Sequence, residues 1–127
     1  MTRGAAARLL AALLATACPP ATVAAADGAA VFSARCASCH AVRAGAPPGA
    51  GPNLAGVHGR RVAGDPDFGY SPVLEAAGRE NRAWDAAALE RFLADPEDAY
   101  PGTWMGSNGL RSAEDRAAVV DYLRSPG

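Results

Sequence analysis

Apolar residues recur three or four positions apart in several short stretches of the chain, and residues that commonly cap helices stand at the start of these stretches. Asp27 precedes the first stretch, Asp85 a later one and Ser112 the last. Ser71 marks a further start, because the proline that follows it suits the first helical position. The pattern therefore predicts three or four short helices.

Three of these helices have apolar faces that can enter a core. The faces consist of Val31 and Phe32 in the first helix, Leu89, Phe92 and Leu93 after Asp85, and Val119, Val120, Tyr122 and Leu123 in the last. Pro96 limits the helix after Asp85, Pro101-Gly102 predicts a turn, and the ranges 43–52 and 56–69 are predicted loops. No segment alternates as a strand would, so we predict an all-α protein with long loops.

The beginning of the chain has the pattern of an export signal. Arg3 and Arg8 precede an apolar stretch over residues 9–17, and alanines at 24–26 provide small residues for cleavage. The apolar stretch is well short of the ~20 residues that a bilayer-spanning helix needs. We therefore expect export and no transmembrane anchor.

This pattern divides the chain into a signal peptide over residues 1–26 and one domain over residues 27–127. The expected location of the mature domain is the periplasm. Cys18 leaves with the signal unless it is lipidated, and Ala15 is smaller than the residue usual at that place in a lipoprotein signal. Removal of Cys18 is the preferred interpretation, and lipidation is the alternative.

The charge of residues 27–127 excludes one class of function. This part of the chain has ten arginines, no lysine and thirteen acidic residues, a formal charge of −3. Nucleic-acid-binding domains usually carry a basic patch and a high isoelectric point. We therefore expect no nucleic-acid partner.

Cys36 and Cys39 are separated by two residues and followed directly by His40. This is the spacing of c-type haem attachment, in which each thiol bonds one vinyl group and the imidazole becomes an axial ligand of the iron. A disulfide or thiol redox pair is one alternative. A zinc site is another, but zinc needs further ligands, and His58 is the only other histidine. A buried haem would also supply the apolar volume that so few large residues cannot.

The second axial ligand decides whether the iron mainly transfers electrons or also binds small molecules. Met105 is the only methionine after residue 1 and follows the loop signal Pro101-Gly102. A thioether ligand favours ferrous iron and raises the reduction potential. His58 competes for this position, but it has glycine neighbours in a predicted loop, so Met105 is the preferred ligand.

The chain resembles the class I cytochromes c through matching residues that are spread along most of the domain. The matching residues, in chain order, are Gly28, Phe32, Cys36-Ala37-Ser38-Cys39-His40, Gly51-Pro52-Asn53-Leu54, Gly59-Arg60, Tyr70-Ser71, Trp84, Phe92-Leu93, Pro101-Gly102-Thr103, Met105 and Tyr122-Leu123. Matches in one order are more specific than the attachment motif alone. The resemblance implies a small cytochrome c fold, with three to five short helices and loops around one covalently bound haem c.

The resemblance also implies roles for individual residues. The Pro52 carbonyl would accept a hydrogen bond from His40 and so fix the imidazole tautomer. The side chains expected to hydrogen-bond the haem propionates are those of Arg60, Tyr70, Trp84 and Thr103. Phe32 and Tyr122 would pack the first helix against the last.

Five residues depart from the family pattern. Phe92 stands where many relatives have a tyrosine that reaches the methionine sulfur, and Ser107 where many have a phenylalanine that shields the haem edge. Trp104, Glu97 and Asp98 stand where lysines are usual in the mitochondrial proteins. The resemblance therefore does not extend to a ring of docking lysines.

The residues and the resemblance together predict a soluble, monomeric, monohaem electron carrier that passes single electrons between redox-protein partners and transforms no substrate. One alternative is a permanent electron-accepting subunit of a periplasmic dehydrogenase. The other is a ligand-binding or peroxidase haem protein with an open iron position.

Overall fold

The fold was obtained as a computed structural model, in which residues 1, 17–21 and 24–126 are described. Most of the predicted signal peptide, residues 2–16 and 22–23, lies outside the described residues. Within the described part, no helix has the length and apolar content to cross a membrane.

Five short helices, joined by long loops, form the described structure. They are α1 (Gly28–Arg35), α2 (Pro72–Arg79), α3 (Ala86–Ala94), α4 (Pro96–Ala99) and α5 (Ala113–Tyr122). The β-type pairing found among the described residues is one isolated antiparallel bridge between Arg61 and Ala83. The prediction of an all-α fold is confirmed.

Three of the predicted caps make the expected hydrogen bonds. Asp27 accepts from the Ala29 amide at 3.0 Å, and Asp85 accepts from the Ala88 amide at 2.7 Å. The Ser112 hydroxyl accepts from the Asp115 amide at 3.1 Å. These side chains satisfy amide groups that a helix start leaves without partners, which explains why α1, α3 and α5 begin where the sequence predicts.

Unlike these three residues, Ser71 does not cap its helix, although α2 begins at the predicted place. Its hydroxyl makes no cap bond and is buried. Pro72 at the first helical position has no amide hydrogen to satisfy and a φ already fixed in the helical range, so α2 begins at the proline without a side-chain cap. The Ser71 hydroxyl is thereby left for another role.

The sequence analysis did not predict α4. Pro96 ends α3, as expected, but it is also the first residue of α4. Asp95 caps this four-residue helix by accepting from the Asp98 amide at 3.0 Å. Proline is unfavourable inside a helix and favourable at its first position, so one residue both ends a helix and begins the next.

Helix α1 packs against α5, which brings the first and last helices of the domain together. The Phe32 and Tyr122 rings meet with their centroids 5.5 Å apart. At Gly28 a Cβ atom would overlap the Ala118 carbonyl oxygen, so only glycine permits this close approach. The first residues of the domain are therefore held against its last helix.

Candidate functional site

A cavity of about 480 Å³ lies among the loops and the inner faces of the helices. Its size falls within the range of cofactor and small-molecule sites. All nine residues that the sequence analysis selected line this cavity: Cys36, Cys39, His40, Pro52, Arg60, Tyr70, Trp84, Thr103 and Met105. Residues from the whole length of the domain therefore meet at one place.

The two cysteines and His40 lie in the turn that follows α1. The amides of Cys39 and His40 donate to the Cys36 carbonyl at 3.1 and 3.0 Å, so the three residues share a tight turn. The two thiols form no disulfide with each other, and Cys36 is half-buried. Burial raises the pKa of the Cys36 thiol, and the positive charge of Arg35 acts in the opposite direction.

The His40 ring is held from two sides. Its Nδ1 donates to the Pro52 carbonyl at 2.9 Å, which leaves Nε2 with a free lone pair. A Cβ atom at Gly51 would lie 2.6 Å from Nδ1, so the absence of a side chain lets the backbone lie against the ring. Burial lowers the pKa of His40, although the bond to Pro52 acts in the other direction. The imidazole is therefore neutral at neutral pH and suited to bind a metal.

Backbone pairing holds Arg60 and Trp84 side by side. The Gly59 amide donates to the Trp84 carbonyl at 2.7 Å, and the Trp84 amide donates to the Arg60 carbonyl at 2.8 Å. Two guanidinium nitrogens of Arg60 donate to the carbonyls of Asn53 and Ala55 at 3.0 and 3.2 Å. This leaves the third nitrogen, Nε, buried and without a partner.

Three polar atoms of cavity-lining residues are buried and unpartnered: Nε of Arg60 and the hydroxyls of Ser71 and Thr103. Buried polar groups normally have hydrogen-bond partners, so these atoms indicate a polar ligand group beside them. The Tyr70 hydroxyl accepts from the Asp65 amide at 3.1 Å and can still donate its own hydrogen. Burial is the main reason that the pKa of Tyr70 is raised, which keeps this donor protonated.

The structure adds Ser71 to the nine predicted site residues. In the sequence, a serine before proline indicates a helix cap, which is its common role. Only the position of the hydroxyl, which is buried, uncapped and at the cavity, indicates a ligand contact.

Met105 lies in a loop that is fixed at both ends. The Gly102 amide donates to the Glu97 carboxylate at 2.9 Å, and Gly102 has a φ of 90°, which favours glycine. Beyond Met105, the Leu110 amide donates to the Leu93 carbonyl at 2.7 Å. The loop brings Met105, which is half-buried, to the cavity. His58, the competing ligand, is not among the described residues that line it.

The donor set fits a haem. A turn supplies two thiols and an imidazole, a distant loop supplies a thioether, and the buried hydrogen-bond donors suit the carboxylates of haem propionates. The fold and the site together define the class of c-type haem proteins.

Comparison with known proteins identifies the family. The sequence profile of the cytochrome c family, described as "Cytochrome c", matches residues 25–126. The chain is 39% identical over 98 residues to cytochrome c2 of Agrobacterium tumefaciens, which covers 77% of this chain and 87% of that protein. It is 40% identical over 93 residues to cytochrome c2 iso-1 of Magnetospirillum molischianum, with coverage of 72% and 89%. It is 38% identical over 96 residues to cytochrome c of Kluyveromyces lactis, with coverage of 76% and 84%.

The chain belongs to the cytochrome c family. Its cofactor is accordingly one covalently bound haem c with its iron. Its relatives are electron carriers and not enzymes, so the chain is a monohaem electron-carrier cytochrome that works with redox partners. These findings confirm the predicted family, fold class and cofactor, and they favour the predicted electron carrier over the peroxidase alternative.

Proposed function

We propose that this protein is exported to the periplasm and carries single electrons there as a soluble monomer. Its haem is attached through Cys36 and Cys39, and its iron is bound by His40 and Met105. The observation that carries the proposal is that the turn with Cys36, Cys39 and His40 and the distant Met105 line a single cavity together with the polar groups that suit a haem.

Different observations support the assignment of the two axial ligands. For His40 the support is the bond from Nδ1 to Pro52, which presents a neutral Nε2. For Met105 it is the loop that brings the thioether to the cavity, while His58 is absent from the described lining. The loop is anchored before and after Met105, so the ligand is held in place when the iron changes oxidation state.

The remaining lining residues are proposed to hold the propionates. Arg60, Ser71 and Thr103 contribute unpartnered buried donors, Tyr70 a protonated hydroxyl, and Trp84 an indole N–H. Charge-assisted hydrogen bonds from several donors stabilise buried carboxylates and keep water out.

When bound, the haem supplies a one-electron couple between ferrous and ferric iron. The protein chain contributes the ligands that set the potential, a dry surrounding and a rigid geometry that keeps reorganisation small. The thioether of Met105 favours the ferrous state.

The export proposal rests on the amino-terminal pattern of two arginines, an apolar stretch and a small-residue cleavage region. Cleavage before Asp27 removes Cys18 and leaves a domain that begins with the cap of α1. The mature protein then has no lipid anchor.

The test is the intact mass, reduced spectrum and redox titration of the protein made with a haem-attachment system. We expect a chain that begins at Asp27 and carries one haem, a sharp low-spin spectrum and a reversible one-electron titration. Gel filtration of the native protein should give a monomer. Free thiols, rapid binding of carbon monoxide, a lipid on Cys18 or a stable larger assembly would each contradict the corresponding part of the proposal.

A further inference from the structure

Trp104 has an exposed side chain at the mouth of the haem cavity. It is 68% exposed and, apart from Met1, is the one large hydrophobic residue of the described chain with this degree of exposure. It also lines the cavity together with its neighbours Thr103 and Met105. The indole therefore combines a large solvent-exposed apolar surface with a position at the opening of the cavity.

The loop backbone fixes this exposure. The Thr103 amide donates to the Tyr100 carbonyl at 3.0 Å, and the Gly106 amide donates to the Thr103 carbonyl at 3.3 Å. Thr103 is buried and Met105 half-buried, so Trp104 between them is left on the outside. A tryptophan that does not contribute to the core is typical of an interface anchor.

The segment that leads into the Trp104 loop carries negative charge. Asp95, Glu97 and Asp98 are exposed on and before α4. The Glu97 carboxylate accepts from the Gly102 amide at 2.9 Å, which holds it two residues from Trp104. We call these three acidic residues the α4 rim.

Other parts of the mouth are neutral or carry isolated positive charges. Ser38, Ser107 and Asn108 line the cavity and are exposed and uncharged. Arg35 also lines it, and Arg111 is exposed at the end of the Met105 loop. The chain has no lysine, and the carboxylate that is bonded to the Trp104 loop is that of Glu97 in the α4 rim.

We propose that Trp104 and the α4 rim form the docking surface for a redox protein whose own face presents an apolar recess bordered by lysine or arginine. The proposal rests on the proposed haem ligation, because Met105 places the iron beside this loop. The carboxylates attract the basic border and steer the encounter, and burial of the indole holds the complex. A single electron passes from this protein to the oxidised centre of the partner, with no proton transfer.

The experiment uses the purified holoprotein and a blue-copper protein with a lysine-bordered apolar patch as the probe acceptor. A variant of the probe with glutamates in place of those lysines is the second acceptor. Transfer rates are measured by stopped flow over a salt series, and each rate is divided by that of the same protein with hexacyanoferrate(III), a small oxidant that needs no extended interface. We expect faster transfer to the lysine-bordered probe, with an advantage that declines as salt increases.

Substitutions separate the apolar and the charged contributions. Trp104→Ser should slow transfer to the lysine-bordered probe about tenfold, whereas Trp104→Phe should retain most of the rate. Glu97→Gln with Asp98→Asn should weaken the salt dependence. The matched control is Glu75→Gln with Glu80→Gln on and after α2, since these carboxylates pair with Arg79 and Arg82 and make no bond to the Trp104 loop.

Three outcomes would overturn the docking proposal. They are an unchanged normalised rate in Trp104→Ser, a preference for the glutamate-bordered probe, and an equal effect of the control pair. A lowered melting temperature in both Trp104 variants with parallel rate losses would show a packing role and overturn it as well. Failure of the unmodified protein to react reversibly with hexacyanoferrate would instead contradict the proposed electron-carrier site.

Discussion

At the scale of single residues, Met105 has the clearest measurable consequence. Met105→Ala should abolish the weak far-red sulfur-to-iron absorption of the ferric protein and admit carbon monoxide to the ferrous protein. It should also lower the reduction potential, on the order of 0.1 V or more, because axial ligands strongly set the potential of haem iron. Visible spectroscopy and a redox titration measure these changes.

His58→Asn is the matched control for Met105→Ala. His58 is not among the described residues that line the cavity, so its replacement should leave the far-red absorption and the potential in place. If the unmodified ferric protein lacked the far-red absorption, and His58→Asn rather than Met105→Ala opened the ferrous iron to carbon monoxide, the ligand would be His58 and not Met105.

The requirements for Gly51 and Ser71 at their positions become evident only in the folded structure. Gly51 is needed because the His40 ring lies where its Cβ would be, and Ser71 because its hydroxyl is buried at the cavity. Neither requirement is present in the local sequence, where a glycine indicates a loop and a serine before proline indicates a cap.

At the scale of the elements, Arg116 links α5, α3 and the loop that carries Met105. Its Nε pairs with the Glu90 carboxylate at 2.6 Å, and another of its nitrogens donates to the carbonyls of Leu110 and Arg111 at 2.9 Å each. The Arg116 side chain is 16% exposed, whereas that of Glu90 is 41% exposed. Arg116 is therefore a positioning residue for the end of the Met105 loop.

Arg116→Met should destabilise the holoprotein by about 2–3 kcal/mol, because hydrogen bonds from a charged, largely buried group are lost. Glu90→Gln should cost about 1 kcal/mol or less, because its carboxylate is partly solvated. In Arg116→Met the far-red absorption should also disappear at a lower temperature than the helical circular dichroism, since the loop is released before the helices unfold.

Arg124→Gln provides the control for Arg116. Arg124 lies just after α5, and its pair with Asp121 is long, at 3.9 Å, and exposed. It should change neither the melting temperature nor the thermal loss of the far-red absorption. Equal effects of the Arg116 and Arg124 substitutions would show that the loop does not depend on Arg116.

At the scale of the whole molecule, the haem cavity and the hydrophobic core largely coincide. The buried apolar residues that also line the cavity are Val57, Tyr70, Leu74, Trp84, Leu89, Leu93, Leu110, Val119 and Leu123. Without the haem, these residues would line a water-accessible cavity of about 480 Å³ and would lose the apolar group around which they pack. Because the net stability of a small domain is only about 5–15 kcal/mol, we expect the fold to depend on its cofactor.

The double substitution Cys36→Ala with Cys39→Ala should therefore give a largely unfolded chain. Circular dichroism should show little helix and no cooperative melt, because the apolar residues lack the group around which they pack. The matched control is Ser38→Ala, which changes an exposed residue of the same turn and keeps both thiols. A haem-free double variant with native helix content and a cooperative transition would refute this dependence.

The sequence by itself determined the features that depend on neighbouring residues. The attachment motif Cys36-Ala37-Ser38-Cys39-His40 is such a feature, because its chemistry requires a fixed spacing over five residues. The starts of α1, α3 and α5 are others, because a capping side chain bonds an amide two or three residues away. Short-range geometry of this kind can be predicted without knowledge of the rest of the chain.

Only the tertiary structure decided which distant residues meet and which way their side chains point. Pro96 could have ended a helix without beginning α4, and Trp104 could have packed inside as readily as outside. The link from Arg116 to Glu90 joins residues on two helices, and the Ser71 hydroxyl acquires its place only when α2 packs beside the cavity. Such contacts depend on the packing of the whole chain around the haem, where burial and steric fit outweigh local preferences.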